Sequence, residues 1–181
     1  MQRLKDHLIA GQVHIDGMAL CAGAHDLRPL QLMKPEHADS MWRANVLATL
    51  VPLRALLSRL AKGRSAIVGL SSTAAVRGGG GVVAYSAAKA AVEGALRAAA
   101  VELAGRGVRV NWVRAGVVET PMSDAFLSKL PPESIAQIRA QHLLGFGAPE
   151  DVASVVTFLL SDDGRWMTGA GIDVDGGLSC R

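Results

Sequence analysis

The chain has 181 residues, half of them hydrophobic and 19% charged, with 19 Lys+Arg against 16 Asp+Glu for a net charge of +3. That composition excludes a disordered chain, which is poor in apolar residues and rich in charge. The basic residues are scattered rather than gathered into a stripe, which argues against a nucleic-acid partner. No apolar run approaches the roughly 20 residues that a membrane span needs, and the opening MQRLKDHLIAGQVHIDG has no signal-peptide core. Two cysteines, Cys21 and Cys180, make neither a metal framework nor a disulfide scaffold, so a cytoplasmic location is expected.

Apolar β-branched runs alternate with Ala- and Leu-rich segments, the pattern of a parallel sheet with crossover helices. Residues 2–11 read as a short helix ending at Gly11, and residues 15–22 (IDGMALCA) as a buried strand. A helix is expected from about Pro35 to Ala61, then a strand at Ala66–Leu70, apolar enough to be covered on both faces. Four consecutive glycines place Arg77–Gly81 in a loop, and an alanine-dense helix follows over Tyr85–Ala104, with Glu93 and Arg97 spaced for a surface ion pair. A third strand is expected at Val108–Val113, helical stretches at Pro132–Gln141 and Pro149–Leu160, and a last strand at Gly171–Val174. No repeat, linker or low-complexity segment interrupts this, so residues 1–181 read as one domain. Trp42, Trp112 and Trp166 are too dispersed for a stacking platform and are assigned to the core. The five histidines show no metal-ligand spacing.

The chemistry-bearing group is Ser72, Tyr85 and Lys89, with Asn45 upstream. Tyr85 and Lys89, four apart on a helix, share a face. An ammonium beside a phenol favours the phenolate and would make the chain's single tyrosine a usable proton donor. Ser72 follows the strand AIVGL, at the strand end where ligands bind in open α/β sheets. A hydroxyl there could donate to a carbonyl oxygen that Tyr85 protonates, although SSTAA also suits a simple turn cap. A serine hydrolase is excluded, because GLSST lacks the Gly-x-Ser-x-Gly elbow.

The stretch AIVGLSSTAAVRGGGGVVAYSAAKAAVEGALRAAAVELAGRGVRVNWVRAGVVETPM resembles the centre of a short-chain dehydrogenase/reductase, close to the ketoacyl-carrier-protein reductase type. GAPEDVASVVTFLLSDDGRWMTGAGIDVDGG is similar to that family's last helix and strand, IDGMALCAGA to its strand ending Asn-Asn-Ala-Gly, and RANVLATL to its Asn-bearing helix. The resemblance implies a Rossmann-like α/β fold and hydride transfer between NAD or NADP and a small carbonyl or alcohol substrate, with no metal. It casts Tyr85 as general acid/base, Lys89 as the residue that tunes Tyr85 and holds the nicotinamide ribose, Ser72 (rather than Ser71) as the carbonyl-orienting hydroxyl, and Asn45 as support for a water-linked relay. Cys21, Ala22 and Gly23 would lie by the adenosine ribose. Gly116, Val118 and Thr120 would lie by the nicotinamide, and Met122 to about Leu144 would cover the substrate. A homo-oligomer, dimer or tetramer, is expected through the Tyr-bearing helix and last strand.

Two departures matter. Leu20–Cys21–Ala22–Gly23 loses both amides of the family's Asn-Asn-Ala-Gly, and Ala115–Gly116 replaces its Pro-Gly. The family's opening strand, its glycine-rich pyrophosphate turn and its next two strands have no counterpart, so the expected sheet is N-terminally truncated to about four strands. GGGG at 78–81 is no substitute, lying between Ser72 and Tyr85 without the strand-turn-helix setting. The residues after the missing second strand normally select the cofactor, which leaves NAD against NADP open. An oxidoreductase of this kind requires the pyrophosphate cradle from a longer parent chain, an earlier start or a partner. The alternative is a catalytically silent homologue, an assembly subunit or a non-functional remnant.

Overall fold

A computed structural model describes residues 2–180. Four parallel strands lie side by side in chain order: β1 (Gly17–Leu20), β2 (Ala66–Ser72), β3 (Arg109–Ala115) and β4 (Gly171–Val174). Parallel neighbours need long crossovers, and the helices supply them. After α1 (Gln2–Ala10), these are α2 (Pro35–Met41), α3 (Ala48–Leu56), α4 (Val83–Ala104), α5 (Pro121–Leu127), α6 (Pro132–Gln141) and α7 (Pro149–Leu160).

The expected helix over Pro35–Ala61 is helical from Pro35 to Arg59, but not as one regular rod. Trp42–Leu47 forms a π-helical turn, marked by the Ala48 N–H reaching back five residues to the Arg43 carbonyl. The first strand is shorter than residues 15–22, since Ile15 makes only an isolated bridge to Leu60. The middle strands run further than expected, to Ser72 and Ala115, which brings both serines of SSTAA into the strand.

Alternation along the strands sends side chains to two cores. Ile67, Val110 and Trp112 pack with α3 and α4 residues such as Leu53, Val92 and Leu96. Val68 and Val113 face the other way, onto Val152 and Leu159 of α7. The result is a helix–sheet–helix sandwich of the Rossmann-like type. Gly69 belongs to the same packing: a Cβ there would sit 2.4 Å from a Leu96 methyl, so the missing side chain lets α4 press onto β2.

Two of the three tryptophans are not core. Trp112 is fully buried, whereas Trp42 is 46% and Trp166 97% exposed. Trp42 stands on the solvent side of the π-turn, and Trp166 lies in the loop before β4. Glu93 and Arg97 do not form the expected surface pair. Glu93 is buried and bonds Arg114 of β3, while the Arg97 guanidinium stacks over the Trp112 ring at 5.2 Å.

The turn from α4 into β3 is sharp. Gly107 sits at φ +69°, and a Cβ there would lie 2.5 Å from the Gly63 Cα. Both the left-handed backbone and the contact with main chain exclude a side chain. Gly107→Ala is therefore expected to cost about 2 kcal/mol or more, measured as a lowered denaturant midpoint at constant m-value; an unchanged midpoint would refute the close approach.

Candidate active site

The carboxyl ends of β1, β2 and β3 open onto a cavity of about 920 Å³. Strand ends are where a parallel sheet exposes unpaired backbone groups, which makes them the natural floor of a site. Asn45, Ser72, Tyr85 and Lys89 all line it, as do Cys21, Gly23, Gly116, Val118 and Thr120. Ala22 alone of the expected residues is not among the lining groups.

Ser71 and Ser72 separate by the two-residue period of the strand. The Ser71 hydroxyl donates to Glu93 Oε1 at 2.8 Å, inside a buried cluster in which Arg114 Nε and Nη2 grip both carboxylate oxygens at 2.7 and 2.8 Å. That occupies Ser71 and leaves Ser72 as the serine free for the cavity. Ser72 also fulfils the simple cap role, its oxygen accepting the Ala74 N–H at 3.2 Å.

Tyr85 opens the buried face of α4, and Lys89 follows one turn on. Lys89 is 6% exposed, and its ammonium donates to the Leu70 carbonyl at 3.0 Å. Burial pushes it down to about 8, with Cys21 nearby pulling the other way. The phenol moves opposite to the expectation. Burial raises Tyr85 above its usual range, and the Ser72 hydroxyl only partly offsets this. Lys89 Nζ stands 5.8 Å from the centre of the Tyr85 ring, and desolvation dominates both groups.

Asn45 is fully buried, and its amide is committed. Nδ2 donates to the carbonyls of Ala24 and Met41, both at 3.0 Å, and Oδ1 accepts the Ala24 N–H at 3.3 Å. The side chain therefore pins the loop after β1 rather than facing Lys89. Between them lies Gly23, where a Cβ would sit 2.8 Å from Asn45 Oδ1 and 3.3 Å from Lys89 Nζ. The absence of that Cβ keeps a channel open to the ammonium.

Thr120 caps α5, its oxygen accepting the Ser123 N–H at 3.3 Å, and Gly147 ties down the 116–120 segment by accepting the Glu119 N–H at 2.8 Å and donating its own N–H to the Val117 carbonyl at 3.0 Å. Two histidines that sequence reasoning treated only as non-ligands belong to the site's frame. His142 is buried, with Nδ1 on the Ile138 carbonyl at 2.8 Å, so Nε2 accepts the Val117 N–H at 3.1 Å. His25 lies in the cavity wall against Tyr85. Neither carried a motif, because each acts through contacts distant in sequence. Among the described residues no cluster of His, Cys, Asp and Glu could hold a metal ion.

A buried lysine held below its ordinary value carries a pH signature. Below about pH 8 Lys89 is protonated in both folded and unfolded chains, and the burial penalty is fully present. Between about 8 and 10.4 the unfolded chain binds the extra proton, so stability rises with pH. Two groups act in the opposite sense: the Cys21 thiol, which burial raises from its ordinary 9.0, and the raised phenol above about 10. The Lys89 contribution should thus grow by roughly 2–3 kcal/mol from pH 8 to 10, read as the difference in pH slope between wild type and Lys89→Met. Urea unfolding across that range checks it; an equal slope in both proteins would refute the assignment.

Comparison with known proteins agrees with this architecture. A family model described as Enoyl-(Acyl carrier protein) reductase matches residues 1–179. The 3-oxoacyl-[acyl-carrier-protein] reductase FabG of Thermotoga maritima is 38% identical over 148 residues, 81% of this chain and 58% of that protein. The cyclopentanol dehydrogenase of Comamonas testosteroni is 34% identical over 178 residues, 97% of this chain and 70% of that one. The crystal structure of a short-chain dehydrogenase/reductase family oxidoreductase from Burkholderia thailandensis superposes with a TM-score of 0.89 at 34% identity, covering 99% of this chain and 70% of its own. The chain thus spans somewhat under three quarters of these relatives, and less than two thirds of the Thermotoga reductase. With its parallel sheet, its strand-end cavity and these matches, the chain belongs to the short-chain dehydrogenase/reductase family.

Proposed function

We propose that this chain carries the proton-transfer and nicotinamide-binding site of an NAD(P)-dependent oxidoreductase acting on a small carbonyl or alcohol substrate. The observation that carries the reading is the meeting of Ser72, Tyr85 and Lys89 in one cavity at the strand ends. A structure of an angucycline ketoreductase, 27% identical to this chain, has NADP bound.

The residues fit the nicotinamide and ribose end of such a cofactor. Lys89 uses one proton on Leu70 and has no second partner among the described residues, and Gly23 leaves room beside it. Lys89 and Thr120 would hold the ribose and carboxamide, with Gly116 and the Val118 backbone alongside. The glycine-rich pyrophosphate cradle has no counterpart among the described residues, so that end must be supported by other chain. When bound, the nicotinamide supplies a hydride to the carbonyl carbon, or takes one from the alcohol.

The chain's own groups handle the proton. In the reducing direction the Ser72 hydroxyl donates a hydrogen bond to the substrate oxygen and orients it. Tyr85 then gives its phenolic proton to that oxygen as negative charge develops there, and Lys89 stabilises the resulting phenolate. A phenol raised by burial holds its proton firmly; the ammonium one turn away becomes important once that proton leaves. Asn45 positions this machinery through Ala24 rather than by touching substrate.

A silent homologue is the second reading, favoured by the missing pyrophosphate cradle. Cofactor binding separates the two. Nicotinamide fluorescence in a titration of the 181-residue chain with NADH and NADPH should saturate; no binding at millimolar cofactor, from folded protein, would overturn the enzymatic reading for this chain. The cytoplasmic setting and homo-oligomer stand as parts of the proposal, the latter supported by the open edge of β4. Among the described residues no helix is long and apolar enough to cross a membrane.

Tyr85→Phe keeps the ring and removes the proton. The rate of carbonyl reduction is expected to fall 10²–10⁴-fold, with nicotinamide affinity within about twofold of wild type because the variant removes no cofactor charge. More than a tenth of the rate remaining in steady-state assays would mean another group donates the proton.

A further inference from the structure

The cavity contains a polar side chain that the proton-transfer scheme does not use. His25 sits on the loop after β1. Its ring makes a T-shaped contact with Tyr85 at 4.7 Å between centroids and a tilted contact with Phe126 of α5 at 4.9 Å. It lines the cavity, and among the described residues neither ring nitrogen has a hydrogen-bond partner or is among the fully buried atoms that lack one. His142 is the useful contrast: equally framed by aromatic and backbone neighbours, it has both nitrogens bonded. A half-buried imidazole whose unbonded nitrogens stay accessible at a cavity is placed to bond a ligand there, a capacity that packing against Tyr85 and Phe126 alone does not require.

The loop carrying it is not free to turn the ring elsewhere. Asn45 clamps Ala24 from both sides, the Arg28 N–H donates to the Gly81 carbonyl at 2.6 Å, and Arg28 also pairs with Asp26. His25 is thus held between the tyrosine that faces the reacting oxygen and the helix that covers the cavity. Burial lowers its pKa, with Asp26 and Lys129 exerting smaller and opposite influences, so near neutral pH the ring presents one N–H donor and one acceptor nitrogen.

We propose that His25 is a specificity-determining contact: its N–H donates to a second oxygen of the substrate, which makes the preferred substrate a carbonyl compound bearing another oxygen acceptor one or two carbons from the reacting carbon. The inference rests on the reading that Tyr85 and Ser72 face the reacting carbonyl. A substrate oxygen at Tyr85 and a second at a ring packed directly against it must be close together in the molecule, as in 2-oxo and 3-oxo acids, esters and thioesters. A monoketone would leave the imidazole desolvated without a partner, and sites built to hydrogen-bond a group discriminate strongly against analogues that lack it. The remaining wall, with Leu27, Met122, Phe126 and Leu130, suits an apolar chain beyond the two oxygens.

The test compares ethyl 3-oxobutanoate, 3-oxobutanoate and the chain-matched monoketone 2-heptanone, with dissociation constants and imidazole ¹⁵N shifts read by NMR on the full chain. Wild type should bind at least one of the oxo-ester and oxo-acid about tenfold more tightly than the ketone, with the His25 ring resonance moving only for the bifunctional ligands. Preference for the acid alone or the ester alone identifies the acceptor as carboxylate or acyl oxygen. His25→Gln keeps a donor and loses the ring, whereas His25→Phe keeps the ring and loses the donor, so the preference should survive in the first and vanish in the second. Retention in His25→Phe, equal or absent binding of all three ligands by wild type, or loss in both variants with an unmoved His25 resonance would overturn the proposal. A parallel NADH and NADPH titration separates the two readings. Nicotinamide binding without oxygen preference defeats this inference alone, and His25-dependent preference without nicotinamide binding defeats the oxidoreductase alone.

Discussion

The site depends on a lysine taken out of water at the point where the sheet runs out of partners. β1 ends at Leu20, opposite Gly69, while β2 continues to Ser72 beside β3. Leu70 is the first residue of β2 beyond that shared ladder, and its carbonyl accepts the Lys89 ammonium. A buried cation with one neutral acceptor is unfavourable, as its lowered pKa records. It is tolerated because the surrounding fold over-determines its position, and that cost is of the kind concentrated at functional sites. The same contact ties α4 to β2 and thereby sets where Tyr85, one turn earlier, presents its phenol.

The helix extends this logic by one more turn. Tyr85, Lys89 and Glu93 recur every fourth residue, so they form one polar line beside the apolar stripe of Ala88, Val92 and Leu96. The first two members open into the cavity. The third is buried outside the cavity lining, its carboxylate neutralised by Arg114 and accepting the Ser71 hydroxyl. Removing either partner of such a pair would leave a buried charge uncompensated, so it fixes the register of α4 against β3 more than it adds stability. The site's geometry is thus anchored at two points, by a lone buried cation in the cavity wall and a bidentate ion pair one turn further along α4.

These features differ in how far they could be read from residues alone. The strand and helix order was legible because apolar runs and alanine-rich amphipathic stretches have distinct periods, and Ser72, Tyr85 and Lys89 stood out because spacing puts them at one strand end and on one helix face. Glu93 misled because its neighbour in sequence is Arg97, whereas its partner Arg114 is brought in by sheet pairing. Trp42 and Trp166 misled because a large apolar side chain is only on average a core residue. The direction of the Tyr85 shift was out of reach: spacing reports that a lysine is near, but burial, the largest influence on the phenol, is a property of the assembled cavity. His25 and His142 gave no signal at all, since stacking on Tyr85 and accepting from Val117 are both long-range events.

The π-turn links these observations. Within Trp42–Leu47 the backbone takes one extra residue per turn, an irregularity that breaks the usual four-residue ladder and is associated with functional sites. The Asn45 amide donates to the Met41 carbonyl four residues back, while the same amide group reaches across to both backbone groups of Ala24. A regular helix would rotate the asparagine to a different heading. The irregularity therefore lets one side chain serve its helix and the β1 loop together, and that loop carries Gly23 past Lys89 and His25 onto Tyr85. Helix distortion, glycine and imidazole form one mechanical chain leading to the phenol, so the shape of the cavity beside Tyr85 is set by a backbone irregularity in a helix that contributes no proton donor of its own.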